Sequence, residues 1–442
     1  MNVLRSRFSG PGRSGRPGRA AALGWAAALA GSILVSRAWA VEEPARSRPA
    51  SPRAETAGPP EVSAAALLEK AWPEHPEWLA MLAEILVKGD RMGGSDGWFR
   101  KGGPRTRFDW RATLAALDKD GDGSVRRAEF PGPDADFARL DRDHDGALAA
   151  ADFDFVGRSS APAVGGVLFS RLDHDGNGKV TPEELEQFYK AADRDGLGFV
   201  SLTDLQQALD VPTPMLRGTP GDPDGPTRWM FLRSFFSGEL GGIAPGPDLN
   251  AEAPDFTLRT ADGREQVTLS KLIGPRPVVL VFGNFTCRPF RGQGGNLEKL
   301  YQRYKDRAAF LTIYVREAHP TDGWRMEIND VLGVAIRQPR TDSERAGVAQ
   351  LCSRTLGLSF PMLVDTIDDP VNRQYCGVPS RLYLIDRQGK IAYKSGRGTF
   401  GFKPAELEQS LILLLQQEAT APSSDSAAPH GSVSLDGSSP RR

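Results

Sequence analysis

VVLVFGNFTCRPF, residues 278 to 290, is the stretch whose reading decides the fold. Its first five residues are an unbroken apolar run of the length of a strand buried on both faces. Gly283 and Asn284 end the run, and Cys287 follows at the point where the chain turns toward a helix expected over 296–308. Pro289 suits a first helical turn, where its missing N–H is not needed. Downstream the pattern gives a second buried strand at 311–315, a helix at 345–356 and a strand at 362–365. Val378-Pro379 comes next, then strands at 382–386 and 391–394 and an amphipathic helix at 404–415. Upstream, a strand at 255–258 leads into the turn Ala261-Asp262-Gly263.

Strand, helix, strand, then a helix and a hairpin, with a cysteine at the first strand-to-helix junction and a proline before the hairpin, is the thioredoxin plan. It predicts that the Val378-Pro379 bond is cis and lies beside Cys287. A cysteine at a helix start meets unpaired amides and the positive end of the helix dipole, which favour the reactive thiolate. Arg288 adds positive charge. No second cysteine lies within three residues of Cys287, so a resolving thiol must be Cys352, Cys376 or an external one. Cys376, three residues before Pro379, is the first choice. The rival reading is that Cys352 and Cys376 form a structural disulfide or pack as free thiols. His319, in Glu317-Ala318-His319-Pro320, is the only histidine of this region and follows the strand at 311–315, where it could donate a proton.

Residues 110–210 carry four acidic loops. A twelve-residue calcium loop supplies oxygens from positions 1, 3, 5, 7 and 9 and an acid at 12, with glycine at 6 for the turn. Asp118, Asp120, Asp122, Ser124 and Glu129 fill that template around Gly123. So do Asp173, Asp175, Asn177, Thr181 and Glu184 around Gly178, with the Lys179 carbonyl at position 7. Asp141, Asp143, Asp145 and Asp152 make a copy with a shorter acid at position 12, expected to bind more weakly. The fourth loop, from Asp193 and Asp195 to Asp204, has Leu197 where an oxygen belongs and reads as degenerate. Val125, Leu148, Val180 and Val200 at position 8 would pair loops through short strands. The block resembles the EF-hand family. Its loops lie too close for separate exit and entry helices, so neighbours must share one, as in a metal-stabilised spacer. The fold class expected is therefore multidomain: an all-α EF-hand module followed by an α/β thioredoxin-like domain.

The remaining chain sets the frame. Residues 1–19 carry arginines and no acid, 20–36 are apolar and uncharged, and Ala38-Trp39-Ala40 fits signal-peptidase cleavage. The segment 1–40 reads as an export signal to a periplasmic, cell-surface or secreted location, and as a membrane anchor if it stays uncleaved. Residues 41–61 read as a disordered leader and 62–109 as a helical region, in which Leu79, Leu82, Ile85 and Leu86 share a face. Residues 211–253 read as a linker with a docking helix around 229–236, 254–417 as the redox domain and 418–442 as a disordered tail. With 55 basic and 56 acidic residues in 442, the net charge of −1 offers no field for nucleic acid.

FGNFTCRPF, EAHPTDGW, MLVDTIDD and PSRLYLID together resemble the iodothyronine deiodinase family. The resemblance implies a thioredoxin-like fold and reductive removal of iodine from phenolic rings, with a thiol reductant as co-substrate. It also implies that Cys287 stands where the family uses selenocysteine, and that His319 and Glu317 match a histidine and an acid of its site. There are departures. The stretch 337–340 ahead of Glu344-Arg345 lacks the second histidine often found in the family, and Phe285 stands where the family has a cysteine. The small-molecule substrate is thus expected to be a halogenated aromatic or a peroxide. Two other readings are a thioredoxin-like peroxidase or disulfide reductase, and a non-catalytic calcium-binding scaffold.

Overall fold

The computed structural model describes residues 105–155, 164–209, 227–236 and 246–420, with Leu79, Leu82, Ala83 and 85–87 before them. Chain contacts separate Met1–Pro60 from Glu61–Arg442, and every described residue belongs to the second unit. The expected signal, leader, first helical stretch and most of the tail lie outside the described residues. Among the described residues, no helix is long and apolar enough to cross a membrane.

The described residues form ten strands, in chain order β1 Arg105–Thr106, β2 Val125–Arg126, β3 Ala147–Leu148, β4 Thr257–Thr260, β5 Gln266–Thr268, β6 Val278–Gly283, β7 Ala309–Tyr314, β8 Met362–Val364, β9 Arg381–Ile385 and β10 Ile391–Lys394. Eight form one sheet in the order β1-β10-β9-β6-β7-β8-β4-β5. β6 and β7 are parallel, from Val278 beside Ala309 to Gly283 beside Tyr314, while β9 runs antiparallel to β6 and β10 to β9. That four-strand centre is the thioredoxin order. The strand expected at 362–365 is β8, parallel to β7 and reached through the helix Asp342–Leu356. A parallel neighbour requires such a crossover.

The continuous apolar character of β6 follows from burial of both its faces. Val279 and Val281 pack with Leu297, Leu300, Leu382 and Leu411 on one side. Val278, Leu280 and Phe282 pack with Leu311, Ile313, Val371 and Tyr375 on the other. Each such side chain contributes about 1.5–3 kcal/mol of burial energy. The closing helix Pro404–Thr420 covers the first face and runs past its expected end at 415.

Among the described residues, the acidic block consists of short helices joined by its loops, with one short ladder. The first two loops share the helix Asp134–Leu140 and the last two share Pro182–Ala192. Val125 pairs with Leu148, as position 8 requires. Val125, Phe130, Phe137, Leu140 and Leu148 belong to the same apolar cluster as Val279 and Val281, so this half of the block is packed onto the redox domain rather than spaced from it. Arg307 and Gln416 both reach Asp136, at 2.9 and 3.2 Å. One expectation is corrected earlier in the chain. Leu79, Leu82 and Ile85 are buried, but Leu86 is 42% exposed, and Ala83 takes the buried place instead.

Candidate active site and calcium loops

The segment after β6 is held through its main chain. The Asn284 amide donates to the Pro379 carbonyl at 2.9 Å. The Phe285 N–H donates to the Tyr314 hydroxyl at 3.0 Å. The Thr286 N–H and hydroxyl both donate to Glu317 Oε2, at 2.9 and 2.7 Å, and Tyr314 donates to the other Glu317 oxygen. Arg291 donates to the Phe285 carbonyl and, at 2.6 Å, to Asn329, whose amide donates to the Thr286 carbonyl at 3.0 Å. Apart from the half-buried Pro379, every group in this ring is buried, so losing a partner would leave a polar atom without water to replace it.

Cys287 is the residue preceding the helix Arg288–Gly292, and its sulfur donates to the Ser380 hydroxyl at 3.6 Å. The Val378-Pro379 bond is cis, and Ser380 follows it, so the loop proline lies beside the sulfur as expected. The ionisation differs from the expectation. Cys287 is 1% exposed, and burial pushes its thiol above the ordinary value. The Ser380 hydroxyl, the Phe290 N–H and Arg291 pull the other way and do not win. The helix is also short: it breaks at Gln293 before Gly294–Tyr304 continues, which weakens the dipole on which a low thiol pKa would depend.

His319 is tied to the same loop, its N–H donating to Thr286 Oγ1 at 3.0 Å. Its Nδ1 lies 3.1 Å from the Trp324 carbonyl, which can only accept, so the proton sits on Nδ1 and Nε2 is bare. The Trp324 ring packs edge-on against the imidazole at 4.7 Å and against Phe231 at 5.3 Å. Phe231 comes from the linker helix Arg228–Phe236, which thus buttresses the histidine. Burial lowers the His319 pKa from 6.5 to about 4, so the ring is neutral at pH 7. Glu317 is fully buried, and burial raises its pKa against the pull of Tyr314 and Thr286. It acts on the loop and not on solvent. The stretch without a second histidine supplies Gln338, whose amide bonds both main-chain groups of Glu317 at 3.0 Å.

All three cysteines are free thiols, so the disulfide reading of Cys352 and Cys376 does not hold in this structure. Cys352 lies in the same apolar cluster as Cys287. Cys376 ends the helix Pro370–Tyr375 in a left-handed conformation, and its carbonyl accepts from Arg381 at 3.4 Å. Sequence reasoning missed Ser380, Thr286, Tyr314, Asn329 and Arg291. Thr286 and Ser380 sat inside the quoted motifs, but nothing in their spacing announces which way they point.

Three carboxylate groups converge in the acidic loops: Asp118, Asp120 and Glu129; Asp141, Asp143 and Asp152; Asp173, Asp175 and Glu184, each with ligand oxygens within 4.8 Å of one another. The position-12 acids are alike in place. Glu129 accepts from Lys119 and Arg126, Asp152 from Arg142 and Ala149, and Glu184 from His174 and Thr181, all through main-chain N–H groups. Asp122 instead bonds Ser124 and Arg126, and Asp145 accepts from Ala147. Asn177 is held by Asp173 and Asp175 and accepts from the Lys179 N–H. Such converging oxygens fit a hard divalent cation. Burial, with a smaller contribution from the neighbouring Asp175 and Glu184 carboxylates, raises Asp173 to about 6.

Fold and site together define a thioredoxin-fold oxidoreductase with one cysteine at the reactive junction. An iodothyronine deiodinase model matches residues 233–413 and an EF-hand model residues 167–189. Type I iodothyronine deiodinase of Xenopus laevis is 31% identical over 185 residues, 41% of this chain and 71% of that protein. Thyroxine 5-deiodinase of Gallus gallus is 32% identical, over 40% of this chain and 63% of that protein. Type II iodothyronine deiodinase of Rattus norvegicus is 32% identical, over 41% and 71%. The chain belongs to the iodothyronine deiodinase family. Among solved structures, a thiol-disulfide oxidoreductase of Bacteroides vulgatus is 19% identical, over 39% of this chain and 97% of that one, with a TM-score of 0.27. A secreted disulfide oxidoreductase of Mycobacterium tuberculosis is 18% identical, over 36% and 96%, with a TM-score of 0.27. At those scores the superpositions carry no weight, and the fold rests on the strand order.

Proposed function

We propose that the protein reduces a halogenated, iodinated phenol by thiol chemistry at Cys287, as an exported protein whose acidic loops bind calcium. The supporting observation is the Cys287 sulfur at the β6 junction, facing Ser380 beside the cis proline, in a member of this family. The sulfur attacks iodine, and the carbon–iodine bond breaks with its electron pair left on the ring carbon, which takes a proton. The sulfenyl iodide then reacts with one reductant thiol to release hydrogen iodide and form a mixed disulfide. A second thiol restores Cys287 and leaves as the oxidised disulfide. His319 Nε2, bare in this tautomer, accepts the thiol proton and passes it to the carbon. Glu317 and Tyr314 act as positioning residues, through Thr286. Asp118, Asp120, Glu129, Asp173, Asp175 and Glu184 supply calcium oxygens, with Asp141, Asp143 and Asp152 forming the weaker set.

Iodide release and hydroperoxide consumption, each measured with a dithiol, test this reading. Dithiol-dependent iodide release is expected to dominate. Peroxide consumption with no iodide release would assign the site to a thioredoxin-like peroxidase instead.

The pH profile of turnover should carry no ionisation at the ordinary histidine value of 6.5. The neutral ring persists until about pH 4, where the acid limb is expected. Because the unfolded chain takes up this proton first, stability is full above pH 6.5 and is lost as the pH falls toward 4. A His319 midpoint near 6.5 in an NMR titration would show that the ring is solvated and the relay misassigned.

A further inference from the structure

The loop Asp173 to Glu184 lies against the segment that carries the nucleophile. The Gly295 N–H donates to the Gly178 carbonyl at 3.2 Å. A Cβ at Gly294 would stand 2.6 Å from the Asn177 carbonyl oxygen, and one at Gly295 would run into the Gly178 carbonyl. A Cβ at Gly178 would meet the Arg291 carbonyl oxygen at 2.5 Å and the Gly294 nitrogen at 2.8 Å. Gly178 also holds a left-handed φ of 79°, so it is glycine for two reasons. Beside this backbone contact, the Lys179 ammonium donates to the Gly357 carbonyl at 3.1 Å, closing the loop onto the end of the helix Asp342–Leu356.

Main chain against main chain leaves no side-chain rotamer to absorb a displacement. Position 5 of the loop, Asn177, and position 6, Gly178, touch the redox domain, while Asp173, Asp175 and Glu184 converge behind them. We infer that this loop positions the Cys287 segment, so that its calcium occupancy sets how accessible the sulfur is. The inference rests on the calcium-binding part of the proposed function. With the ion removed, the converging carboxylates repel, the loop expands, and the contact at Gly178 and Gly295 is lost. Cys287, now 1% exposed, would lose the support of the helix that encloses it.

Alkylation of the full-length protein by iodoacetamide, read cysteine by cysteine by mass spectrometry, tests this alongside calorimetric calcium titration. Chelation is expected to speed Cys287 alkylation roughly fivefold or more, within the usual range of coupling between two sites. Buried Cys352 should stay unreactive and so report that the domain remains folded. Glu184→Gln should mimic chelation. Gly295→Ala should still bind calcium but make Cys287 alkylation insensitive to it. Calcium binding at this loop without any change at Cys287 would overturn the coupling alone. No calcium binding would overturn both the coupling and the calcium reading. Exposure of Cys352 together with Cys287 on chelation would reduce the loop to a general stabiliser and would also overturn the inference.

Discussion

Cys287→Ser is expected to lose iodide release by a factor on the order of 10⁴ or more, because in the proposed reaction the nucleophile and the acceptor of the iodine are the same atom. Serine keeps the volume and the hydrogen bond to Ser380, so the fold should be unaltered and the loss should be chemical. Its hydroxyl is far less acidic than a thiol and a poor partner for a soft electrophile. Burial already holds the native thiol above its ordinary value, so alkylation of Cys287 in the wild type should still climb beyond pH 9. Turnover by Cys287→Ser within tenfold of wild type would remove the mechanism. Unchanged melting beside lost turnover is the result that supports it.

Arg345→Ala should cost about 3–5 kcal/mol of folding stability, the usual effect of deleting one member of a buried ion pair. Arg345 is 1% exposed, and its guanidinium bonds Asp369 at 2.7 Å and the carbonyls of Thr366 and Asp365 at 2.7 and 3.2 Å. It thereby joins the helix Asp342–Leu356 to the turn after β8. Asp369 holds a left-handed φ of 54° at the start of the helix Pro370–Tyr375, a conformation that non-glycine residues keep only where surroundings impose it. Among the described residues, Arg316, at 3.5 Å, would be left as its cationic partner. Arg345→Lys should recover part of the loss, since an ammonium keeps the charge but not the planar fork. Denaturant unfolding measures both. A change below about 1 kcal/mol for Arg345→Ala would mean that the turn is held by its own hydrogen bonds and not by this pair.

Much of this architecture was legible because it is written in local spacing. An apolar run ending in glycine, a cysteine, and a proline two residues later could be read as a strand meeting a helix, and that is how β6 and Arg288–Gly292 lie. The twelve-residue acidic periods could be read as loops, and the short gaps between them as shared helices. Phe231 was legible only as part of an apolar stretch; that it presses on Trp324, and Trp324 on His319, depends on residues nearly a hundred positions away. Leu86 was misassigned because helical spacing says which face a residue lies on but not how far along that face the packing reaches: Ala83 is buried and Leu86 is exposed.

The ionisation of the site was not legible at all. Helix position argues for a thiolate, but desolvation depends on what the rest of the chain packs over the sulfur, and here it outweighs the helix. The same holds for His319 and Glu317, whose shifts follow from burial in the fold against the opposing hydrogen bonds to Trp324 and to Tyr314 and Thr286. By itself, then, the order of residues determined the strand-to-helix junction, the proline loop and the acidic turns, because each depends on neighbours along the chain. Only the tertiary structure decided that the sulfur is buried, that the histidine is neutral and that an acidic loop rests backbone to backbone on the segment after Cys287, because burial and contact are set by residues distant in sequence.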